Sequence, residues 1–328
     1  MGKSKKSDPK KRKKNRKDNR FKPDLKRAIA GLSFLILLLV TTGFLLHHWI
    51  AKKQPIRPPT PSPQKAAVHK KPVSKVPAFE IYPKKERYPQ KETPKPKPST
   101  SKQLPKVAII VDDMGYDSQI AEKFLTLDAV LTFSVFPYSP FGESIVRQAN
   151  INGSEIMLHL PMEPVEYPIV DPGPGVLLTS MSPDQLIDQL RKNLDSVPSI
   201  KGVNNHMGSR MTTVSTQMYQ ILSILKKRKL YFIDSRTTHE SLCKPSARLL
   251  QVPFAQRDVF LDHIQKASFI RKQIKQLIRI AYNQGEAVGI AHPYSETYDV
   301  LREMLPDLKK KVNLVSASQV VHIIDEKT

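Results

Sequence analysis

From Pro105 onward, short continuous apolar runs alternate with segments of helical period, and this alternation restricts the fold more than any other feature of the chain. The runs "VAIIV", "AVLTFSVF", "EIMLHL", "KGVNNHM", "LYFID", "VFLD", "AVGIAH" and "VNLVSAS" have the length of strands. Between them stand "DSQIAEKFLTL", "SPFGESIVRQANING", "SPDQLIDQLRKNLDSV", "STQMYQILSILKKRK", "KASFIRKQIKQLIRIAYNQ" and "SETYDVLREMLPDLKK", several of which begin with Ser or Asp in a capping position. Strands that are apolar at every position are buried on both faces, as in a parallel sheet covered by helices. Regular strand–helix alternation implies right-handed βαβ units. About eight strands in roughly 224 residues predict an α/β fold, a distorted (β/α) barrel of about seven to eight parallel strands.

Charge divides the rest of the chain. The formal net charge is +23, but Pro105 to Thr328 carries 25 basic and 24 acidic residues, so the excess lies elsewhere. Residues 1–27 hold 14 basic and 3 acidic side chains, and residues 51–104 hold 14 and 3 again. A nucleic-acid reader would carry its basic patch on the folded module, so that class is set aside. Between the two basic blocks, "AIAGLSFLILLLVTTGFLLHHWI" (28–50) is uncharged and long enough to cross a hydrocarbon core of about 30 Å. No small-residue cleavage site follows it, and Trp49 suits an interfacial edge, so the segment predicts an uncleaved transmembrane helix. Residues 1–27 then form a basic cytoplasmic tail. Residues 51–104, rich in Pro and Lys, cannot bury a core and predict a disordered linker that would reach roughly 160 Å when extended. The expected arrangement is single-pass in a bacterial inner membrane, with the 105–328 domain periplasmic. The lone Cys243 has no partner for an internal disulfide and decides nothing about compartment.

In parallel α/β folds, functional groups gather at the carboxyl ends of the strands. Asp112 and Asp113 end the first run, His159 and then Glu163 the third, His206 the fourth, Asp234 the fifth and His292 the seventh. Each has a structural reading as well. Asp113 could cap the turn in "DDMGY", whose Gly suits a positive φ. His159 could be a hydrogen-bonded core histidine, His206 could brace a loop, Asp234 could end a strand and His292 could precede a proline-forced turn. Five strand ends that bring Asp, His, His, Asp and His to one rim nevertheless form a set with metal-ligand chemistry.

The segments "VAIIVDDMG", "LTFSVFP", "EIMLHLPMEP", "GVNNHMGSRMT", "YFIDSRTT", "DVFLD" and "AHPYSET", in this order, resemble the divergent polysaccharide deacetylase family, a distant branch of the NodB-homology deacetylases. The similarity spans almost all of 105–328 and none of the anchor or linker. It implies a divalent metal, usually zinc, at the rim of a distorted barrel. It also implies roles: Asp112 as catalytic base, Asp113 and His159 as metal ligands, His292 as general acid and Asp234 as the acidic residue near the fifth strand. The better-known relatives place both histidines of a His-x-x-x-His pair on the metal, whereas this chain has Glu163 at the second position. His206 is the expected replacement ligand, with Glu163 as alternative ligand or as a partner behind the ligands. "NHMGSR" stands where the relatives carry an Arg-Pro-Pro-Tyr segment, so Arg210 receives no role.

The activity that the resemblance implies is that of a metal-dependent hydrolase that removes N-acetyl groups from a cell-envelope polysaccharide such as peptidoglycan. The alternative is a tethered binding module that keeps the barrel without catalysing. A glycosidase is disfavoured, because adjacent carboxylates cannot flank a glycosidic bond at the required separations.

Overall fold

The computed structural model describes residues 38, 40–42 and 103–325. Leu38, Val40, Thr41 and Thr42 are helical, and the Thr41 and Thr42 hydroxyls both donate to the Leu38 carbonyl, at 3.0 and 2.8 Å. The remainder of the expected 28–50 span, the basic tail and the linker lie outside the described residues. Among the described residues, no helix is long and apolar enough to cross a membrane.

The folded unit carries nine strands: β1 (Lys106–Met114), β2 (Thr132–Val135), β3 (Glu155–Met162), β4 (Gly202–Met207), β5 (Tyr231–Asp234), β6 (Phe254–Gln256), β7 (Val259–Phe260), β8 (Glu286–Ala291) and β9 (Asn313–Leu314). Seven helices accompany them: α1 (Ser118–Leu125), α2 (Gly142–Ile151), α3 (Pro183–Ser196), α4 (Ser215–Lys227), α5 (Cys243–Leu250), α6 (Ala267–Gln284) and α7 (Ser295–Lys311). All eight expected runs contain a strand and all six expected helical segments contain a helix. Asp117 caps α1 by accepting from Gln119 N and Ile120 N, and Ser182 forms a reciprocal capping box with Gln185 on α3. Ser215 and Ser295 instead sit one residue inside their helices.

Two elements lie beyond the sequence reading. The strand β6 has only three residues after Pro253, and α5 contains Pro245 within eight residues, which gives "CKPSARLL" the look of a loop. Pro245 falls in the first helical turn, where a missing N–H costs nothing.

Every strand pairing is parallel, and the sheet order is β6-β5-β4-β3-β2-β1-β8-β7, with β9 against the start of β1. This is the cyclic order of a barrel opened between β6 and β7. Those two edge strands are joined through Arg257 and Asp258 alone, a reach of about 11 Å at most. The sheet therefore has to curl until its edges approach. Arg257 N–H still donates to Asp234 of β5 (2.9 Å), while Asp258 N–H donates to Val288 of β8 (2.9 Å), so the chain crosses the seam in one step. The distortion is the missing helix between β6 and β7.

Strand alternation sorts the buried side chains into two cores. Val107, Ile109, Val111, Phe133, Val135, Val203 and Phe232 face outward into the large core beneath the helices. Ala108, Ile110, Met157, Tyr231, Ile233, Phe260, Val288 and Ile290 fill the interior of the curled sheet. The C-terminal segment closes the floor of that interior with Val315, Ala317 and Val320. Backbone N–H groups pin it, from Ala317 to the Thr132 hydroxyl and from Ser318 to Glu155, each at 2.9 Å.

Candidate metal centre

The same alternation, continued past the apolar interior, names the residues above it. Two positions beyond Ile110, Met157, Ile233, Phe260 and Ile290 stand Asp112, His159, Ser235, Asp262 and His292. Asn204 and His206 share the inward parity on β4, opposite to Val203. Asp113 by parity alone would turn outward. It has φ +55°, a left-handed conformation uncommon outside glycine but tolerated by Asp, and this turns the second carboxylate into the same space as the first. Gly115 (φ +130°) completes the turn, and a Cβ there would lie 2.1 Å from the Ser139 hydroxyl oxygen. The positive φ expected within "DDMGY" is therefore present.

Three ligand atoms converge. His159 Nε2 lies 3.0 Å from Asp113 Oδ1, His206 Nδ1 lies 3.2 Å from the same oxygen, and the two ring nitrogens are 3.1 Å apart. Neighbouring ligands of a cation with bonds of about 2.0–2.1 Å stand about 3.0–3.4 Å apart, so this triangle has the size of a metal-binding face. All three residues are buried, and they form the one cluster of three such ligands among the described residues. Neither Asp113 oxygen receives an aligned hydrogen bond, although both are sealed from solvent. A buried carboxylate without donors is costly unless a positive group faces it. Burial by itself would raise the Asp113 carboxyl, yet His206 and His159, with a contribution from His292, hold it well below the usual carboxylate range. The donor set, one carboxylate and two imidazoles, suits zinc or a related divalent cation. Phe136 meets both rings edge-on, with centroids at 5.0 and 4.7 Å, and fixes their planes.

Asp112 is fully buried beside this cluster, with both oxygens receiving the Asn204 amide at 2.8 and 2.9 Å. His292 pairs with Asp262: its Nδ1–H donates to Oδ1 (2.8 Å) and its backbone N–H to Oδ2 (2.6 Å), where the Thr297 hydroxyl also donates (2.8 Å). The carboxylate that orients His292 is thus Asp262.

Asp234, the residue expected to act there, is engaged elsewhere. It lies on the outward parity of β5 with Phe232, and its oxygens accept from Arg236 N–H (2.8 Å) and the Ser241 hydroxyl (2.7 Å). Burial raises its pKa. Glu163 is likewise no member of the ligand cluster. Its Oε1 pairs with Arg210 (3.2 Å) and its Oε2 accepts the Thr179 hydroxyl (2.7 Å), which ties the β3–α3 connection to the loop after β4. Arg210 thereby has the role that sequence reading left open. Asn204, Asp262 and Ser235 were not singled out in the sequence. The parity of "VNNH" and the terminal Asp of "VFLD" mark two of them only once the pairing of β4 with β3 and of β7 with β8 is known.

The family model for divergent polysaccharide deacetylases matches residues 109–321. The chain belongs to this family. The matched span contains every residue of the cluster and of the His292–Asp262 pair. The uncharacterized protein YibQ of Escherichia coli K12 is 32% identical over 217 residues, which cover 66% of this chain and 67% of YibQ. An uncharacterized protein of Haemophilus influenzae Rd is 30% identical over 210 residues, 64% of this chain and 74% of its own. The crystal structure of an uncharacterized protein from Agrobacterium tumefaciens C58 superimposes with a TM-score of 0.65 at 25% identity, covering 69% of this chain and 93% of that one. A polysaccharide deacetylase-like barrel is therefore the common ground of sequence, fold and family, and the candidate Asp-His-His metal face lies within the matched span.

Proposed function

We propose that this divergent deacetylase family member is a metal-dependent hydrolase that removes acetyl groups from an N-acetylated cell-envelope polysaccharide, peptidoglycan being the foremost candidate. The observation that carries the reading is the buried triangle of Asp113, His159 and His206, with Asp112 3.8 Å from His159 and the His292–Asp262 pair at the ends of β8 and β7, the strands that follow β1 in the sheet order. When bound, a divalent cation, zinc by the donor set, supplies Lewis acidity toward an amide carbonyl and acidifies water. Asp112 accepts the proton of the attacking water. His292, held by Asp262 through Nδ1, turns Nε2 toward the reacting space and delivers a proton to the departing amine, which leaves poorly as an anion. Asp113 and the two histidines orient the cation, and the apolar layer of Ile110, Met157 and Ile290 beneath excludes water from below. Residues 1–27, 28–50 and 51–104 serve as cytoplasmic tail, membrane anchor and tether, and place the domain on the periplasmic side of a bacterial inner membrane.

One observation favours a second reading, a non-catalytic glycan- or protein-binding module: Asp112 has no exposed surface, and both its oxygens are engaged by Asn204. Incubating the zinc-loaded full chain with a panel of N-acetylated glycans and measuring acetate separates the two. Acetate release that disappears in Asp112→Asn supports the hydrolase. No release from any glycan, together with tight binding to cell-wall sacculi, supports the binding module.

A further inference from the structure

We propose that Asn204 is a positioning residue that couples the two halves of the site, setting the ring tautomer of His159 with one end of its amide and holding the Asp112 carboxylate with the other. The inference rests on the metal-dependent reading for its consequence, while its geometry stands apart from it. Asn204 is fully buried on the inner face of β4. Its Oδ1 accepts from the Ser134 hydroxyl at 2.6 Å and from His159 Nδ1 at 2.9 Å. Its Nδ2 donates to Asp112 Oδ1 and Oδ2 at 2.8 and 2.9 Å, with the Ser235 hydroxyl 3.4 Å away. The amide has one workable orientation. A carboxylate takes only donors, so the NH₂ group must face Asp112 and the carbonyl must face His159.

An acceptor-only oxygen at His159 Nδ1 obliges that nitrogen to carry the proton. Nε2 then presents its lone pair to the point where Asp113 Oδ1 and His206 Nδ1 converge, which is the state a metal ligand requires. His159 Nδ1 is 3.8 Å from Asp112 Oδ2, too far for the carboxylate to do this itself. One strand thus supplies a ligand, His206, and two residues earlier the group that orients the ligand on the neighbouring strand. Because the same amide grips Asp112, a shift of that carboxylate would be transmitted to His159.

The test uses the full chain with ¹⁵N-labelled histidine, comparing wild type, Asn204→Ala and Asn204→Asp, with the His159 signal assigned by its loss in His159→Gln. Ring nitrogen shifts in metal-free protein report the tautomer, and a competition titration reports the zinc dissociation constant. Wild type is expected to show Nδ1–H. Asn204→Ala should show mixed tautomers and a zinc affinity weaker by about 10–100-fold. Asn204→Asp keeps the acceptor at His159 and sets a second carboxylate against Asp112 in place of the donor, so it should retain the His159 Nδ1 proton while acetate release falls. An Asn204→Ala chain with native circular dichroism, unchanged tautomer and unchanged zinc affinity would overturn the inference. If Asn204→Ala does not fold, a His159 without the Nδ1 proton in Asn204→Asp overturns it equally. Wild type that takes up no zinc refutes the metal reading instead, and the tautomer alone then decides the role of Asn204.

Discussion

His292 donates its Nδ1–H to Asp262 Oδ1 across 2.8 Å, joining the first residue past β8 to the second residue past β7 at a site where both side chains are buried. The carboxylate fixes both the tautomer and the plane of the ring, and Phe260 and Tyr294 stack on it at 6.0 and 5.6 Å. Asp262→Asn should leave zinc content unchanged and lower acetate release by on the order of 10²-fold or more, the scale of a lost general acid. Parallel metal analysis and turnover assays check it. Equal loss of metal and turnover would place Asp262 in the ligand machinery instead.

Glu163 is bound to Thr179 and Arg210 rather than to the ligand triangle. Glu163→Gln should therefore retain one zinc per chain and lower stability by about 1–2 kcal/mol, since one charge-assisted contact is lost and the Arg210 end is half-exposed. Chemical denaturation of the metal-free chain, together with metal analysis, measures both.

Gly115 allows the turn that swings Asp113 inward. Gly115→Ala would place a Cβ against the Ser139 side chain at a φ of +130° that L-residues rarely adopt. A cost of about 1–3 kcal/mol is expected from the backbone alone, and zinc affinity should weaken because Asp113 moves with the turn. Ser139→Gly in the same background removes the clash but not the strain, so it should recover only part of the loss.

Asp258 sits at the barrel seam, where its Oδ2 accepts the Val288 N–H at 2.8 Å. Burial pushes its pKa from 3.8 up to about 6. The folded state therefore binds this proton more tightly than the unfolded state, and the contribution to stability is complete below about pH 4 and lost as pH rises through about 6. The difference amounts to about 3 kcal/mol at neutral pH. Asp258→Asn keeps an acceptor for Val288 without the charge. Its denaturation midpoint should exceed wild type at pH 7.5 and converge with it near pH 4. Identical curves at both values would contradict the burial of a charged Asp258.

Much of this molecule is legible in the sequence. Strand-length runs ending in Asp113, His159 and His206 point to the cluster these three side chains form, because apolar strands of a parallel sheet end on one rim. The failure at Asp234 has a physical origin. With both faces of β5 buried, "YFID" shows no polar alternation, so nothing in the sequence reveals that Tyr231 and Ile233 face inward and Asp234 outward. Asp262 was hidden for a different reason: its role depends on β7 lying beside β8, a pairing created by the two-residue crossing at Arg257 and Asp258. Asn204 lies inside the expected strand "KGVNNHM", but its task depends on β4 pairing with β3, which brings it opposite His159. The short β6 and the proline-bearing α5 fall below the length at which periodicity speaks.

The most direct measurement is the zinc content of the full chain by elemental analysis, after zinc loading and removal of excess, for wild type, Asp113→Ala and His206→Ala. One zinc per wild-type chain and almost none in either variant is the expected result. Stoichiometric zinc in folded His206→Ala, or none in wild type, would contradict the assignment of Asp113, His159 and His206 as the metal-binding face.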